Sequence, residues 1–350
     1  MKRLNTRLIT PQLCAVILLI MLPLVSVLGL MTGPVFIPLS DILSIMLVGD
    51  GAANGSNSQE KLIIEIIRLP RVMLSLIVGA LLAACGALLQ GLFRNPLADP
   101  ALIGVSAGAS VGASSVIVFG SMVTSGGVML GLSAISMGAF GGAIVASVII
   151  YRLATGPQGT SVATMLLAGI AISALAGAAT NTLSYLADND MLRRISLWQM
   201  GNLQGASWER VGLGALTAGC LAVLIPRETG ALNAMLLGES EARHLGVNVE
   251  WLKRRLIIYS ALGVAISVAI AGVIAFVGLM VPHLIRLLVG PDHRSLLPLS
   301  ALAGAILLVA ADALARVVIA PAELPVGIVT ALLGAPFFLW LLIRMRRGLA

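Results

Sequence analysis

The chain has 350 residues, of which 59% are hydrophobic and only 11% are charged, and its mean hydropathy is +1.04. Soluble domains are about 45–50% apolar and about 25% charged, so this composition excludes an ordinary cytosolic enzyme. The net charge of +7 could suit nucleic-acid binding, but basic residues also gather in the cytoplasmic loops of membrane proteins. The composition therefore predicts an all-α polytopic membrane protein.

Apolar segments recur along the whole chain, and a membrane-spanning helix needs roughly 20 such residues. Ten segments come near that length, at 13–33, 62–90, 96–118, 126–151, 160–184, 207–226, 255–275, 277–289, 296–319 and 325–343. The segment at 277–289 is short, and we expect its helix to begin within Gly272–Gly278. The polar intervals 38–61 and 186–210 each predict one short helix outside the spans.

Basic residues are distributed unevenly between the two sides of this arrangement. With the N-terminus inside, the inner segments hold 15 of the 22 basic residues, namely Lys2, Arg3, Arg7, Arg94, Arg152, Arg227, Arg243, Lys253, Arg254, Arg255, Arg286, Arg294, Arg344, Arg346 and Arg347. The outer segments hold the other 7, namely Lys61, Arg68, Arg71, Arg193, Arg194, Arg210 and Arg316. This bias predicts that both termini are cytoplasmic, and it explains the net charge without nucleic acid.

The turn "LFRNPLADPALIG" at 92–104 interrupts two long apolar runs. Asn95 is placed to cap the third spanning helix, with Pro96 at its first position and Asp99 in its first turn. Gly104, Gly108 and Gly112 follow at a spacing of four, which favours close packing of helices in lipid or the lining of a substrate path.

The sequence offers little material for catalysis. It contains no G-x-x-x-x-G-K-[ST] phosphate loop and no H-E-x-x-H or G-x-S-x-G motif, so we expect no enzyme activity and no catalytic residue. The cysteines Cys14, Cys85 and Cys220 lie in apolar runs and are interpreted as buried hydrophobic residues, with no metal site. Asp312 and Arg316 stand one helical turn apart, which predicts an ion pair near the outer end of the ninth span.

A polar connection at 227–254 separates the sixth and seventh spans. Its two short apolar-periodic segments flank Gly238, and Gly246 follows a cluster of acidic and basic residues. It is either a solvated amphipathic connector or a surface on which a cytosolic partner docks.

Seven motifs together resemble one known family, the permeases of type II ABC importers for iron-siderophores, haem and vitamin B12. They are "RLPR" at 68–71, "GALLQGLFRNPLADPALIGVSAGA" at 86–109, "MLLAGIAI" at 165–172, W-x-x-G at 198–201, "LGESEARHLGV" at 237–247, "GVIAFVGLMVPHLIR" at 272–286 and "ELPVGIVTALLGAPFFL" at 323–339. The resemblance covers nearly the whole chain. It implies one permease domain over residues 1–350, with 227–254 as its cytoplasmic coupling loop.

The same resemblance implies the partners of the chain. Two copies would form a homodimer in the bacterial inner membrane, among membrane lipid, with the path at their interface. A cytosolic ABC ATPase dimer would bind ATP and Mg below, a periplasmic substrate-binding protein would dock above, and this chain would bind no cofactor. The residues that would couple to the ATPase are Leu237, Gly238, Glu241, Ala242, Leu245 and Gly246.

Two further sets of residues take roles from the resemblance. Asn95 and Leu97 resemble an inner gate, and Thr160 and Ser161 a second gate layer. The arginines that would meet glutamates of the binding protein are Arg68, Arg71 and Arg316, or else they anchor lipid headgroups. On the docking interpretation, reversing the charge of Arg68 and Arg71 should weaken docking without unfolding the permease.

The substrate is less determined than the family. Overall likeness favours haem over a siderophore or cobalamin, although no single residue requires it. His283, with His244 and His293 nearby in sequence, could be read as a haem ligand, but its motif is more typical of a structural role. The alternative class is an ion-coupled secondary transporter, which the scarcity of carboxylates inside the spans disfavours.

Overall fold

The computed structural model of the protein describes residues 8–48, 57–123, 128–157 and 159–346. Within these ranges the chain is almost wholly helical. Its α-helices are α1 (Pro11–Met31), α2 (Leu39–Val48), α3 (Asn57–Leu62), α4 (Leu69–Leu92), α5 (Val105–Val123), α6 (Val128–Ala154), α7 (Val162–Leu186), α8 (Asn189–Gln199), α9 (Trp208–Leu224), α10 (Thr229–Met235), α11 (Glu239–His244), α12 (Val249–Ala271), α13 (Val277–Val289), α14 (His293–Val317) and α15 (Val326–Arg346).

Shorter elements connect some of these helices. A π-helix at Ile63–Arg68 joins α3 to α4, and 3₁₀ turns occupy Pro100–Ile103 and Ile225–Glu228. Thr155–Gly156 pairs antiparallel with Gly159–Thr160 in a small hairpin between α6 and α7.

The described helices reproduce the ten predicted spans. Eight of them are long and apolar enough to cross a membrane, and two shorter apolar helices, Val105–Gly120 and Val277–Val289, complete the set. At 1.5 Å per residue, the 13 residues of α13 cover only about 20 Å, less than a hydrocarbon core of about 30 Å. As expected, this helix begins within the Gly272–Gly278 stretch, at Val277.

The short helices were also predictable, but not every helix start was. α2 and α8 lie in the two polar intervals, and α10 and α11 flank Gly238. The expected start of the seventh span at 255 is wrong, because α12 begins at Val249. Asn248 caps this helix by accepting a hydrogen bond from the Trp251 backbone N–H at 3.1 Å.

α4 and α12 form the centre of the bundle. In each, 72% of the most apolar stretch is buried, against 17% in α7 and 22% in α1. Close glycine contacts bring the neighbours of α4 into place: a Cβ on Gly86 would lie 1.7 Å from the Gly278 carbonyl oxygen, and one on Gly79 would lie 2.2 Å from that of Gly304. Small residues therefore let α13 and α14 pack backbone to backbone on α4.

The glycine stripe of the third span packs in the same way. A Cβ on Gly108 would lie 2.3 Å from the Gly142 carbonyl oxygen, and one on Gly112 would lie 2.0 Å from that of Gly138. The expected tight packing is therefore confirmed, and α6 is the partner helix.

The cysteine prediction holds only in part. Cys14 and Cys85 are buried, but Cys220 is exposed, so the expectation of three buried thiols is wrong for Cys220. The reason is that the segment Trp208–Met235, which includes α9, lies at the periphery of the bundle, with 28% of its most apolar stretch buried.

The chain between α12 and α13 is not helical, and neighbouring segments satisfy the last carbonyls of α12 just before it. The Ala271 carbonyl accepts from the Asn202 N–H at 2.8 Å, and the Ile270 carbonyl accepts from the Arg210 guanidinium at 3.2 Å. Such backbone is tolerated within a membrane only where protein covers it. The loop after α8 provides that cover.

The connections gather at two ends of the bundle. We call the end formed by 93–104, 155–161, 225–248 and 290–292 the basal end. The opposite end, formed by 32–38, 187–207 and 318–325, is the apical end.

Candidate functional site

Two arginines, an aspartate and a glutamate form an ionic network at the apical end, which we call the apical network. Arg71 donates from Nε to both oxygens of Asp312, at 2.9 and 3.1 Å, and from Nη1 to Glu323 at 2.8 Å. Arg316 approaches the other side of Asp312 at 3.1 Å and donates to the Thr32 carbonyl at 2.8 Å. The predicted Asp312–Arg316 ion pair is therefore confirmed, and it is shared with Arg71.

Arg68 is held by backbone carbonyls instead of carboxylates. Its guanidinium donates to Leu30 at 2.6 Å, to Met31 at 3.0 Å and to Val35. These carbonyls lie at and just beyond the end of α1, where a helix leaves its last acceptors unpaired. Arg68 therefore ties the first span to the second.

The burial of these arginines changes one expectation. Arg68, Arg71 and Arg316 are 4%, 5% and 2% exposed, although all three border an apical cleft. Replacing Arg68 and Arg71 by glutamate would set new negative charges beside backbone carbonyls and carboxylates, so the structure favours a loss of stability in this double variant, in contrast to the expectation from the sequence. Their docking role remains a prediction.

Glu323 lies in the connection between α14 and α15, and its surroundings favour the carboxylate. Partial burial opposes the charge, but hydrogen bonds from Arg71 and from Gln204 outweigh it and lower the pKa of Glu323. The carboxylate therefore stays charged at the pH values at which proteins are normally handled.

The turn at 93–99, on the basal end, differs from the expected helix start. Asn95 does not cap α5, because that helix begins only at Val105, after a 3₁₀ turn and a positive φ of 69° at Gly104. The Asn95 side chain accepts from the Leu97 backbone N–H at 2.9 Å in a local turn. Both residues are exposed at the basal end, Leu97 by 37%, and their role as an inner gate remains a prediction.

The second proposed gate layer is the end of the hairpin between α6 and α7. Thr160 is 7% exposed, and its hydroxyl lies 3.1 Å from that of Thr155 across the hairpin. Ser161 is exposed and caps α7 by accepting from the Thr164 backbone N–H at 3.3 Å. The two gate residues thus differ, one packed inward and one facing out.

The stretch 237–246, which we call the coupling segment, exposes two apolar side chains and is anchored by a buried alanine between them. Leu237 and Leu245 are 65% and 64% exposed, whereas Ala242 between them is fully buried. Gly238 and Gly246 adopt φ values of 125° and 85°, which an L-residue rarely takes, so both turns around α11 need glycine. Glu241 is exposed, and its carboxylate folds back toward Gly238.

Two contacts connect the coupling segment and α10 to the turn at 93–99. A Cβ on Gly238 would lie 3.6 Å from Arg94 Nη1, so this guanidinium rests against the segment. On α10, Asn233 accepts from His293 N–H at 2.9 Å, and the His293 ring lies against Gly91, just before the turn. Asn233 also donates to Asp292 at 2.7 Å.

A third contact joins the coupling segment to the hairpin. Lys253 on α12 lies 2.8 Å from Glu239 and donates to the Thr160 carbonyl at 3.0 Å. Glu250 accepts from the Thr160 backbone N–H at 2.8 Å. These contacts were not predictable from the sequence pattern, which places Lys253 in a loop. The Asn248 cap would have placed Glu250 and Lys253 on one helix.

His283 lies on α13 and faces two aromatic residues of α15. It is 8% exposed and packs at 6.3 Å, ring centroid to centroid, from both Phe337 and Phe338. Within the described ranges, no three histidine, cysteine or carboxylate side chains gather as a metal site.

Comparisons with known proteins agree over most of the chain. Residues 18–344 match the model of the FecCD transport family. The hemin transport system permease protein HmuU of Yersinia pestis is 49% identical over 282 residues, which is 80% of this chain and 83% of that protein. The cobalamin import system permease protein BtuC of Halobacterium salinarum is 46% identical over 285 residues, 81% of this chain and 73% of that protein.

A solved structure is similar over a still larger share of this chain. It is described as an inward-facing conformation of a metal-chelate type ABC transporter, with a TM-score of 0.79 and 31% identity. The match covers 96% of this chain and all of that one.

Proposed function

The chain belongs to the FecCD transport family, and on that premise we propose that this multi-pass permease is the membrane subunit of an ATP-driven haem importer. Haem is chosen because the hemin permease of Yersinia pestis is the more identical of the two relatives above, at 49% against 46%. An iron-siderophore or cobalamin substrate is the alternative within the family.

The observation that carries this proposal is the exposed coupling segment. Leu237 and Leu245 face outward at the basal end, in the connection between the spanning helices α9 and α12. Exposed apolar side chains on a rigid support are typical of a docking surface. A cytosolic ATPase is the partner that suits this position, because the chain has no phosphate loop of its own. ATP and Mg would then bind on the ATPase.

We place the basal end in the cytoplasm and the apical end in the periplasm, across a bacterial inner membrane. The excess of basic residues on the segments of the basal end supports this orientation, with both termini inside. The apical arginines then border the cleft at which a binding protein would dock.

A second copy of the chain would cover α7. Of the candidate spans in the described residues, this helix has the smallest buried share, 17%. Its uncovered face carries Thr164, Asn181 and Thr182, with Tyr185 89% exposed. Polar side chains within a membrane face a protein interior or a water-filled cavity, so this face suits a path between two copies.

Ion coupling by the chain alone is a weaker explanation. Asp312 is the fully buried carboxylate among the described spans, and two arginines hold it. Both of its oxygens already contact these guanidinium groups, so its role is that of a structural member of the apical network.

The test is affinity purification of the tagged chain in mild detergent, followed by native mass spectrometry. We expect two permease copies with two ATPase chains, and ATP hydrolysis stimulated by a loaded binding protein. Hemin, ferric siderophores and cobalamin would then be compared as the load. A stable monomer without an ATPase across several detergents would contradict the proposal.

A further inference from the structure

Resting on the proposed function, we propose that Lys253 is a positioning residue that transmits movement of the coupling segment to the gate at Thr160. Its ammonium group joins three elements that are separate in sequence: the hairpin at 155–160, α11 of the coupling segment and the first turn of α12. The turn at 93–99 is joined to the coupling segment by other contacts. The two gate layers would therefore receive the ATPase movement through different side chains.

Every donor of the Lys253 ammonium has a partner. Nζ donates to the Thr160 carbonyl at 3.0 Å, to Glu239 Oε2 at 2.8 Å and to Glu250 Oε1 at 3.4 Å. An ammonium group has three donors, so the site is complete without water. Since these partners come from three elements, moving any one of them strains the other two.

Burial makes this junction stiff. Lys253 is 3% exposed, and a buried charge is costly unless it remains paired and hydrogen-bonded. Glu239 and Glu250 are partly exposed, at 33% and 40% of their side chains, and can be solvated without it. Lys253 must therefore move with the two carboxylates to stay paired. A displacement of α11 then also displaces the hairpin.

The hairpin is held on α12 through the backbone N–H and the backbone carbonyl of Thr160. Thr160 donates its N–H to Glu250 at 2.8 Å and offers its carbonyl to Lys253 at 3.0 Å. A Cβ on Gly159 would lie 2.6 Å from the Glu250 carboxyl carbon, so the backbone rests directly on α12. Thr160 also pairs with Thr155 across the hairpin, which extends the hold to the end of α6.

The gate at 93–99 provides the internal comparison. This turn contacts the coupling segment through Arg94 and is linked to α10 through His293. Lys253 takes no part in these contacts. A change at Lys253 should therefore separate the responses of the two gate layers. A merely structural defect would affect both.

The experiment measures nucleotide-dependent labelling in the assembled complex. In a chain whose exposed Cys220 is replaced by alanine, single cysteines at Ala163, exposed in the first turn of α7, or at Leu97 report on the two layers. Labelling by a maleimide is timed in inside-out vesicles with and without ATP and Mg. We expect Lys253→Met to keep ATP hydrolysis and the response at position 97 while abolishing the response at 163.

Two variants serve as controls. Lys253→Arg keeps the charge and should restore the response at 163. Arg254→Met removes another basic residue from the same end of α12, an exposed one whose guanidinium stacks at 5.5 Å on the Trp251 ring, and should leave both responses unchanged.

The outcomes separate this inference from the proposed function. A normal response at 163 in Lys253→Met overturns the inference. If that variant does not assemble, Glu239→Ala decides, because it removes the carboxylate by which α11 holds Lys253, and a normal response at 163 there overturns the inference equally. An unsubstituted complex without ATP hydrolysis would overturn the proposed function, and the inference with it.

Discussion

Asp312 compensates the charges of two buried guanidinium groups. It is fully buried, with Arg71 at 2.8 Å and Arg316 at 3.1 Å. Removing one member of a buried ionic group costs more than the group contributes, because the remaining charges stay buried without compensation. Asp312 is therefore the residue on which the apical network depends most.

Replacing Asp312 by asparagine should destabilise the protein by about 3–5 kcal/mol, because two buried arginines would then face each other. The measurement is the midpoint of thermal denaturation in detergent. Asp190→Asn is the matched control: this exposed aspartate also lies at the apical end, and its loss should change stability by no more than about 0.5 kcal/mol. Equal effects of the two changes would contradict the assigned role of Asp312.

Glu323 gives the apical network a pH dependence. A carboxyl whose pKa is lowered by folding stabilises the folded state above its ordinary pKa of 4.5, and this contribution is lost as pH falls through the lowered value. Glu323→Gln should therefore be less stable than the unchanged protein at pH 7, and the difference should shrink below about pH 4.5. Thermal midpoints measured from pH 7 to pH 3.5 would show this. A difference that is constant with pH would refute it.

At the residue scale, the sequence predicted contacts between near neighbours but not between distant ones. The Asp312–Arg316 pair follows from a spacing of four on one helix. The contact of Arg71 with Asp312 joins residues 241 positions apart, and only the packing of α14 on α4 brings them together. The junction at Lys253 escaped prediction for the same reason, since Thr160 lies on another element.

At the element scale, close helix packing depends on a few glycines. Gly86→Ala would place a Cβ 1.7 Å from the Gly278 carbonyl oxygen, so α4 and α13 would have to separate. Overpacking of this kind costs about 1–3 kcal/mol, and we expect a lower thermal midpoint and a lower yield. Gly219→Ala, on a helix face with no heavy atom within 4 Å, is the control and should cause no loss.

Helix starts were the least predictable part of the elements. Asn95 and Pro96 form a good capping pair in the sequence, yet α5 begins only at Val105. Asn95 uses its side chain in a local turn instead, and Pro100 starts a separate 3₁₀ turn. The local sequence suits Asn95 equally well as a helix cap and as a turn residue. Contacts such as that of Gly104 with Ile150 of α6 decide between them, and the sequence does not contain that information.

The coupling segment gives a prediction about partner binding. Leu237→Ser with Leu245→Ser should leave the permease folded, because both side chains are more than 60% exposed. Burying a leucine contributes about 1.5–3 kcal/mol, and 1.4 kcal/mol is a factor of ten. ATPase binding measured by affinity purification should therefore weaken at least about tenfold. Leu8→Ser, an exposed leucine elsewhere at the basal end, should not weaken it.

At the scale of the whole molecule, the chain forms a bundle with one incompletely covered side. α4 and α12 fill the centre, while α7 contributes a face that is neither fully apolar nor packed. The pattern of ten apolar segments was enough to predict the number of spans, because hydrophobic length determines which helices cross a membrane. It could not predict which span lacks a neighbour, since that depends on the packing of all the others.

The position of the inner gate at the axis of a homodimer is the prediction that involves the whole assembly. A cysteine at Leu97, which is 37% exposed, in a chain with Cys220 replaced, should cross-link two 36.0 kDa copies into a species of twice that mass. If the two turns must separate for haem to pass, the cross-link should stop hemin uptake into vesicles, and a reducing agent should restore it. A cysteine at Leu213, which is 44% exposed on peripheral α9, should give no such cross-link. Uptake that continues through a complete cross-link at 97 would show that substrate passes elsewhere.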